Sequence, residues 1–211
     1  QRGLNYLDVE DVLDQMEYNS KSGLLSILSV HSGQEHVHMP SNHDVLFARG
    51  LARKFDYVYY GHHPHVIQGH EFINGSAIYY SLGNFIFDDV YTPRDASQPL
   101  IKLSEENKTG AIGVLEVVNG KIAKSDVVPV YLGVDQMLVG EDVDGFQMQN
   151  YNVLLENAGS HQYEEQRNSR IADFIESRKE MRDLQWYLRR LNLNSLGLII
   201  NARLNAKRYK S

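Results

Sequence analysis

Eight of the nine histidines in this 211-residue chain fall between positions 31 and 70. They form two groups: His31, His36 and His38 within HSGQEHVH, and His62, His63 and His65 within GHHPH. Neutral imidazole is the commonest protein ligand for zinc, manganese and iron, so several rings aimed at one point would hold a cation. The chain has no cysteine. That excludes disulfides, zinc ribbons and thiol catalysis, and leaves His, Asp, Glu or Asn to hold any metal. Spacing alone does not decide the matter, because H-x-x-H is a weak motif and a single loop histidine is more often a hydrogen-bonded surface residue. The deciding question is whether the fold brings the two groups together.

The elements around the histidines answer it. Leu7 to Tyr18 places Leu7, Val9, Val12, Leu13 and Met16 at helical spacing with acidic residues opposite, predicting an amphipathic surface helix. Leu24 to Val30 is a short apolar run that fits a strand buried on both faces, ending at His31. Ser41 and Asp44 form a helix-capping pair, and Val45, Leu46, Leu51 and Phe55 continue a helical stripe. Tyr57 to Tyr60 reads as a second strand, ended by Gly61. A strand, helix, strand unit favours a parallel pair with a right-handed crossover. Both strands then end at the same sheet edge, so the loops starting at His31 and Gly61 are expected to be neighbours. Ala77 to Leu82 is a third strand, closed by Gly83 and Asn84. Asn119-Gly120 separates two β-rich runs, 110–118 and 121–130, and predicts an antiparallel hairpin. From His161 onward the apolar spacing predicts a long helix, with a second over 195–207; the polar stretch 157–168 is the linker candidate.

With these residues in view, the order SVHSGQEH, helix, GHHPHVIQG, YYSLGNFIFD resembles the closing motifs of the bacterial CapA-type capsule-biosynthesis family. In that family a strand ends in His-Trp-Gly-x-Glu-Tyr, followed by a helix, then Gly-His-x-Pro-His-x-x-Gln and Ser-Leu-Gly-Asn-Phe. The resemblance runs from about Leu24 to Asp88. It implies an α/β (α+β) fold of the calcineurin-like metallophosphoesterase kind, a β-sandwich flanked by helices with a metal centre at the strand ends. Carried over, it makes His31, His62 and His65 metal ligands and gives Glu35 and Asn84 a place beside the substrate or behind the ligands. His63, whose neighbours are the presumed ligands, is a candidate general acid or else a supporting or solvent-exposed residue. Ser32 stands where the family usually has Trp, and His36 where it usually has Tyr. The family's remaining ligands, including a carboxylate that bridges two metals, come from motifs upstream of these residues. Two ions (Mn, Fe or Zn) are therefore expected only in a complete protein.

The expected division is 1–156 for the C-terminal part of this domain and 157–211 for a basic helical extension. Charge supports it: residues 1–165 hold 10 Lys/Arg against 23 Asp/Glu, whereas 166–211 hold 11 against 4. Arg182, Arg189, Arg190 and Arg203 accompany Leu184, Trp186 and Leu188, a composition suited to an anionic polymer or an acidic membrane surface, or to a packing helix with solvated charges. No nucleic-acid recognition motif accompanies the charge, and no run approaches the roughly 20 apolar residues of a membrane span. Two function classes follow from the resemblance. One is a metal-dependent hydrolase or transferase in capsule or poly-γ-glutamate synthesis or export, acting on a phosphorylated small molecule or the polymer. The other is a non-catalytic assembly component that binds an anionic polymer beside a structural metal. The resemblance also implies a place at the bacterial cell envelope.

Overall fold

The computed structural model describes residues 7–91, 99, 101–133 and 136–180. Helix α1, Val9–Lys21, starts at Asp8, whose side chain accepts from the Glu10 and Asp11 amides. Strand β1, Ser26–His31, leads to α2, Asn42–Ala52, capped as its sequence predicts by the Ser41 hydroxyl, which accepts from the Asp44 amide at 3.0 Å. Strand β2, Tyr57–His62, then runs parallel to β1 in a register that sets Val30 against Gly61 and His31 against His62. Strands β3, His70–Ile73, and β4, Ser76–Tyr79, form a hairpin, and β4 pairs parallel with β2. The sheet order is β1-β2-β4-β3. A one-turn helix α3, Glu105–Lys108, opens a second, antiparallel sheet of β5, Thr109–Val118, β6, Lys121–Leu132, and β7, Met137–Val139. Asn119 and Gly120, both at positive φ, make the predicted turn between β5 and β6. A short helix α4, Gln149–Asn152, precedes α5, His161–Glu180.

Strand alternation builds three layers. Tyr57, Tyr59 and Ile78 point to one face of the first sheet, where they pack with Met16 of α1 and Val45, Ala48, Leu51 and Ala52 of α2. Val58, Ala77 and Tyr79 point to the other face and meet Ile122 of β6, with Leu115 and Val127 packed alongside. Helices therefore cover one face and the second sheet covers the other, a mixed α/β arrangement. The Tyr79 hydroxyl and His70 Nε2 both reach the Ser125 hydroxyl, at 2.7 and 2.8 Å, and join the two sheets through a polar contact. On the helical side Arg49 donates twice to Glu71, at 3.0 and 2.7 Å, and Tyr80 donates to the same carboxylate. This ties α2 to β3 by a charge-assisted pair, joined by Tyr80 just beyond β4.

Three features differ from expectation. β1 is an edge strand rather than one buried on both faces. The second sheet packs on β2 and β4, so Ile27 remains 67% exposed. The β3–β4 hairpin was not anticipated, although Asn74-Gly75 at its turn carries the same signal as Asn119-Gly120. The third strand starts and stops earlier than Ala77 to Leu82, because residues beyond Tyr79 leave the ladder to approach the second sheet through a Gly83–Gly110 bridge.

The first compact unit runs to Arg170. Within it Tyr163 of α5 is buried and donates to the Pro40 carbonyl at 2.8 Å, and Gly159 donates to Asn42. The second unit starts at Ile171, and there the Arg178 guanidinium lies 5.5 Å from the Phe174 ring centre. The expected helix over 195–207 and the basic residues from Arg182 onward lie outside the described residues. Among the described residues no helix is long and apolar enough to cross a membrane.

The end of β2 tolerates no side chain at Gly61, where a Cβ would overlap the backbone carbonyl of Tyr80. Gly61→Ala must displace the strand that carries His62. Overpacking against backbone costs about 1–3 kcal/mol, which corresponds to a fall in Tm of roughly 3–10 °C for a chain of this size. Thermal unfolding by circular dichroism checks this, and an unchanged Tm contradicts the close approach.

Candidate functional site

The parallel register delivers both histidine groups to one rim of the sheet. His31 and His62 are opposed across β1 and β2, and their Nδ1 atoms lie 2.8 Å apart, so one ring donates and the other accepts. The Nε2 atom of His62 lies 3.1 Å from the Ser29 hydroxyl. His63 follows immediately, its ring centre 4.5 Å from that of His31 and 6.0 Å from that of His65. One ligand atom from each of Glu35, His63 and His65 falls within 4.8 Å of the others, a group able to hold a metal ion. Of the residues expected as ligands, His65 belongs to this group, whereas His31 and His62 form the hydrogen-bonded pair beside it. His63, expected as a general acid, supplies the second imidazole, and Glu35, expected beside the substrate or behind the ligands, supplies the carboxylate.

Asn84 stands behind His65. It is only 9% exposed, and its Nδ2 donates to the carbonyls of Asn107, at 2.9 Å, and His65, at 3.4 Å. Its Oδ1 therefore faces His65, whose Nδ1 donates at 2.8 Å. With Nδ1 so committed, the lone pair of His65 sits on Nε2, the arrangement found behind metal-ligating histidines. Asn107 completes the support. Buried at 3% exposure, it donates from Nδ2 to the His65 carbonyl at 2.8 Å and to His36 Nδ1 at 2.9 Å, while its Oδ1 accepts from Ser104. Sequence reasoning missed Asn107. Its available signal was a Ser104-x-x-Asn107 capping box, realised at the start of α3.

The remaining histidines do other work. His38 Nδ1 lies 2.6 Å from the Ile67 carbonyl, and its Nε2 lies 3.4 Å from Glu106. His43 is exposed and stacks on Phe47, and His70 belongs to the inter-sheet contact.

Burial, together with the neighbouring rings of His31 and His63, lowers the pKa of His62 below the ordinary histidine value. His63 is lowered too, chiefly by burial and then by His31 and His65, with the Glu35 carboxylate opposing them. Both rings are thus held neutral at pH 7, the form that carries a lone pair for a cation or a proton. Two imidazoles and a carboxylate, without sulfur, form a donor set suited to Mn, Fe or Zn and leave coordination positions open.

The backbone here is under strain. His36, His63 and His65 have φ of 61°, 106° and 58°, values that side-chain-bearing residues rarely adopt. Three such residues in two facing loops match the pattern in which strain is stored where side chains must be aimed.

Residues 2–89 match the family model described as bacterial capsule synthesis protein PGA_cap. The chain is 32% identical over 111 residues to the PGA biosynthesis protein CapA of Bacillus subtilis, covering 52% of this chain and 29% of that protein. It is 31% identical over 112 residues to the capsule biosynthesis protein CapA of Bacillus anthracis, covering 53% of this chain and 26% of the relative. An uncharacterized protein of Sinorhizobium fredii is 33% identical over 96 residues, with 20% of its length covered. The matched part thus spans less than a third of each of these relatives.

Replacing His63 by Gly and by Ala removes the same imidazole and isolates the backbone. Glycine adopts a φ of 106° without penalty, so His63→Gly is expected to exceed His63→Ala in stability by about 1 kcal/mol, or roughly 2–4 °C in Tm. Paired melting curves decide it: an Ala variant at least as stable as the Gly variant refutes the strain.

Proposed function

We propose, from the premise that this chain is a CapA-type capsule protein over residues 2–89, that it serves capsule or poly-γ-glutamate polymer synthesis as a metal-dependent phosphoesterase. The single observation that carries this reading is the convergence of Glu35, His63 and His65 at the strand ends, with His65 oriented from behind by Asn84. The calcineurin-like metallophosphoesterase fold, with helices on one side of stacked sheets, belongs to the same reading.

Glu35, His63 and His65 would hold a divalent cation, with further ligands contributed by upstream residues of the complete protein. Bound there, a divalent cation would supply Lewis-acid chemistry, polarising a phosphoryl oxygen and lowering the pKa of a bound water. The chain's own residues do the rest. Asn84 and Asn107 keep the His65 ring and its peptide group in one orientation, so the ligand needs no rearrangement when substrate arrives. The His31–His62 pair shares one proton between two Nδ1 atoms, with His62 Nε2 beside the Ser29 hydroxyl, and the lowered pKa of His62 favours its neutral form. That pair can accept a proton from an incoming nucleophile or return it to a departing oxygen. His63 serves as a donor to the cation rather than as the acid.

A second reading keeps the cation as a structural element in an assembly protein that binds an anionic capsule polymer. The excess of 11 Lys/Arg over 4 Asp/Glu in residues 166–211 favours it, and the same basic composition would suit an acidic membrane. Nucleic acid is not a partner in either reading.

The full-length protein, loaded with manganese and assayed on phosphomonoester and phosphodiester substrates, tests the choice. Metal-dependent turnover that falls at least about 100-fold in His65→Ala, together with lost metal, is expected for the enzyme. Stoichiometric metal with no turnover on any phosphoester overturns the enzymatic reading in favour of the assembly role.

A further inference from the structure

Immediately after Asn84 the chain exposes three large apolar side chains in succession: Phe85 at 53%, Ile86 at 67% and Phe87 at 38%. They do not belong to a frayed end. The segment is fixed before them by the Gly83–Gly110 bridge, and after them by the Val90–Ile101 bridge and the Leu103 amide, which donates to Asp89 at 2.7 Å. Contiguous apolar exposure on a fixed segment marks a contact surface more often than scattered single residues do. Its position says what touches it. The Phe87 ring centre lies 5.2 Å from that of His65, tilted by 46°, so the aromatic face is continuous with the donor group.

From this contact we infer that Phe87 forms an apolar lip that receives the ester group of the substrate, selecting phosphoesters whose ester group is aromatic or otherwise apolar. The inference rests on the metal-centre reading above. A phosphoryl group held beside His65 has its ester substituent as the next part of the molecule, and on this side of the site that substituent meets Phe87 rather than solvent. Flat rings pack offset or edge-on against phenylalanine with a gain beyond area burial alone. The lip is thus a specificity device, and it is separable from the groups that hold the cation.

Non-hydrolysable probes distinguish the two. Phenylphosphonate and methylphosphonate share the phosphonate head and differ in the group that would meet the lip. With the full-length, manganese-loaded protein, isothermal titration is expected to give phenylphosphonate about tenfold tighter binding than methylphosphonate. In Phe87→Ala that preference should fall to within about threefold, with methylphosphonate affinity and metal content unchanged. Because Phe87 is substantially exposed, the variant is expected to fold, and an unchanged circular dichroism spectrum verifies it. Equal affinities in the wild-type protein, or a preference that survives Phe87→Ala, overturns the lip and leaves the metal centre standing. A protein that retains no metal and binds neither phosphonate overturns both.

Discussion

The site depends on one register. β1 and β2 run parallel with His31 opposite His62, so two loops more than 25 residues apart in sequence begin at the same point in space. A slip of one residue would turn every side chain of a strand to its other face and send His31 and His62 to opposite sides of the sheet. The register is held from both sides of the crossover. α2 buries Val45, Ala48, Leu51 and Ala52 on Tyr57 and Tyr59, and Ser41 fixes where that helix starts. At the far end Gly61 lets the Tyr80 backbone come close enough to lock β2 against the continuation of β4. Polar residues appear at the C-terminal ends of these strands because there the backbone leaves the ladder and the core no longer demands apolar side chains.

Holding a histidine in place costs conformational freedom, and the loops show where that cost is met. The unfavourable φ values of His36, His63 and His65 persist because neighbouring bonds over-determine them. The His36 amide donates to the Pro64 carbonyl at 2.7 Å, and the His65 carbonyl accepts from two buried asparagines. Among the described residues every buried side-chain nitrogen and oxygen has a partner. A fully satisfied polar network in a low-dielectric setting is rigid, whereas a half-satisfied one would be a liability. Asn84 and Asn107 therefore limit His65 to one tautomer and one direction.

Much of this was legible from residue order. The apolar run ending at His31, the Ser41–Asp44 cap and the run ending at Gly61 together implied the parallel unit, and the Asn119-Gly120 turn implied the hairpin. What escaped had physical reasons. The Asn74-Gly75 hairpin joins strands of only four residues, too short for alternation to stand out beside its turn signal. The exposure of β1 depends on how far the second sheet reaches, which is a tertiary fact. That His63 rather than His62 lies with His65 and Glu35 could not be read from residue order, because adjacent histidines in a loop give no periodicity from which to choose. Asn107 lies 42 residues from the His65 it supports, with no motif linking them.

Fold and site carry different kinds of inference. The layered α/β framework explains why Glu35, His63 and His65 converge at this rim, and the match over residues 2–89 explains why capsule synthesis is the setting to test. The chemistry itself rests on whether imidazoles from the GHHPH loop bind metal. X-ray absorption at the metal edge of the manganese-loaded full-length protein asks this most directly. The account predicts a shell of nitrogen and oxygen only, with multiple-scattering features from imidazole that weaken in His65→Ala. A metal shell without imidazole, or one indifferent to His65, would contradict it.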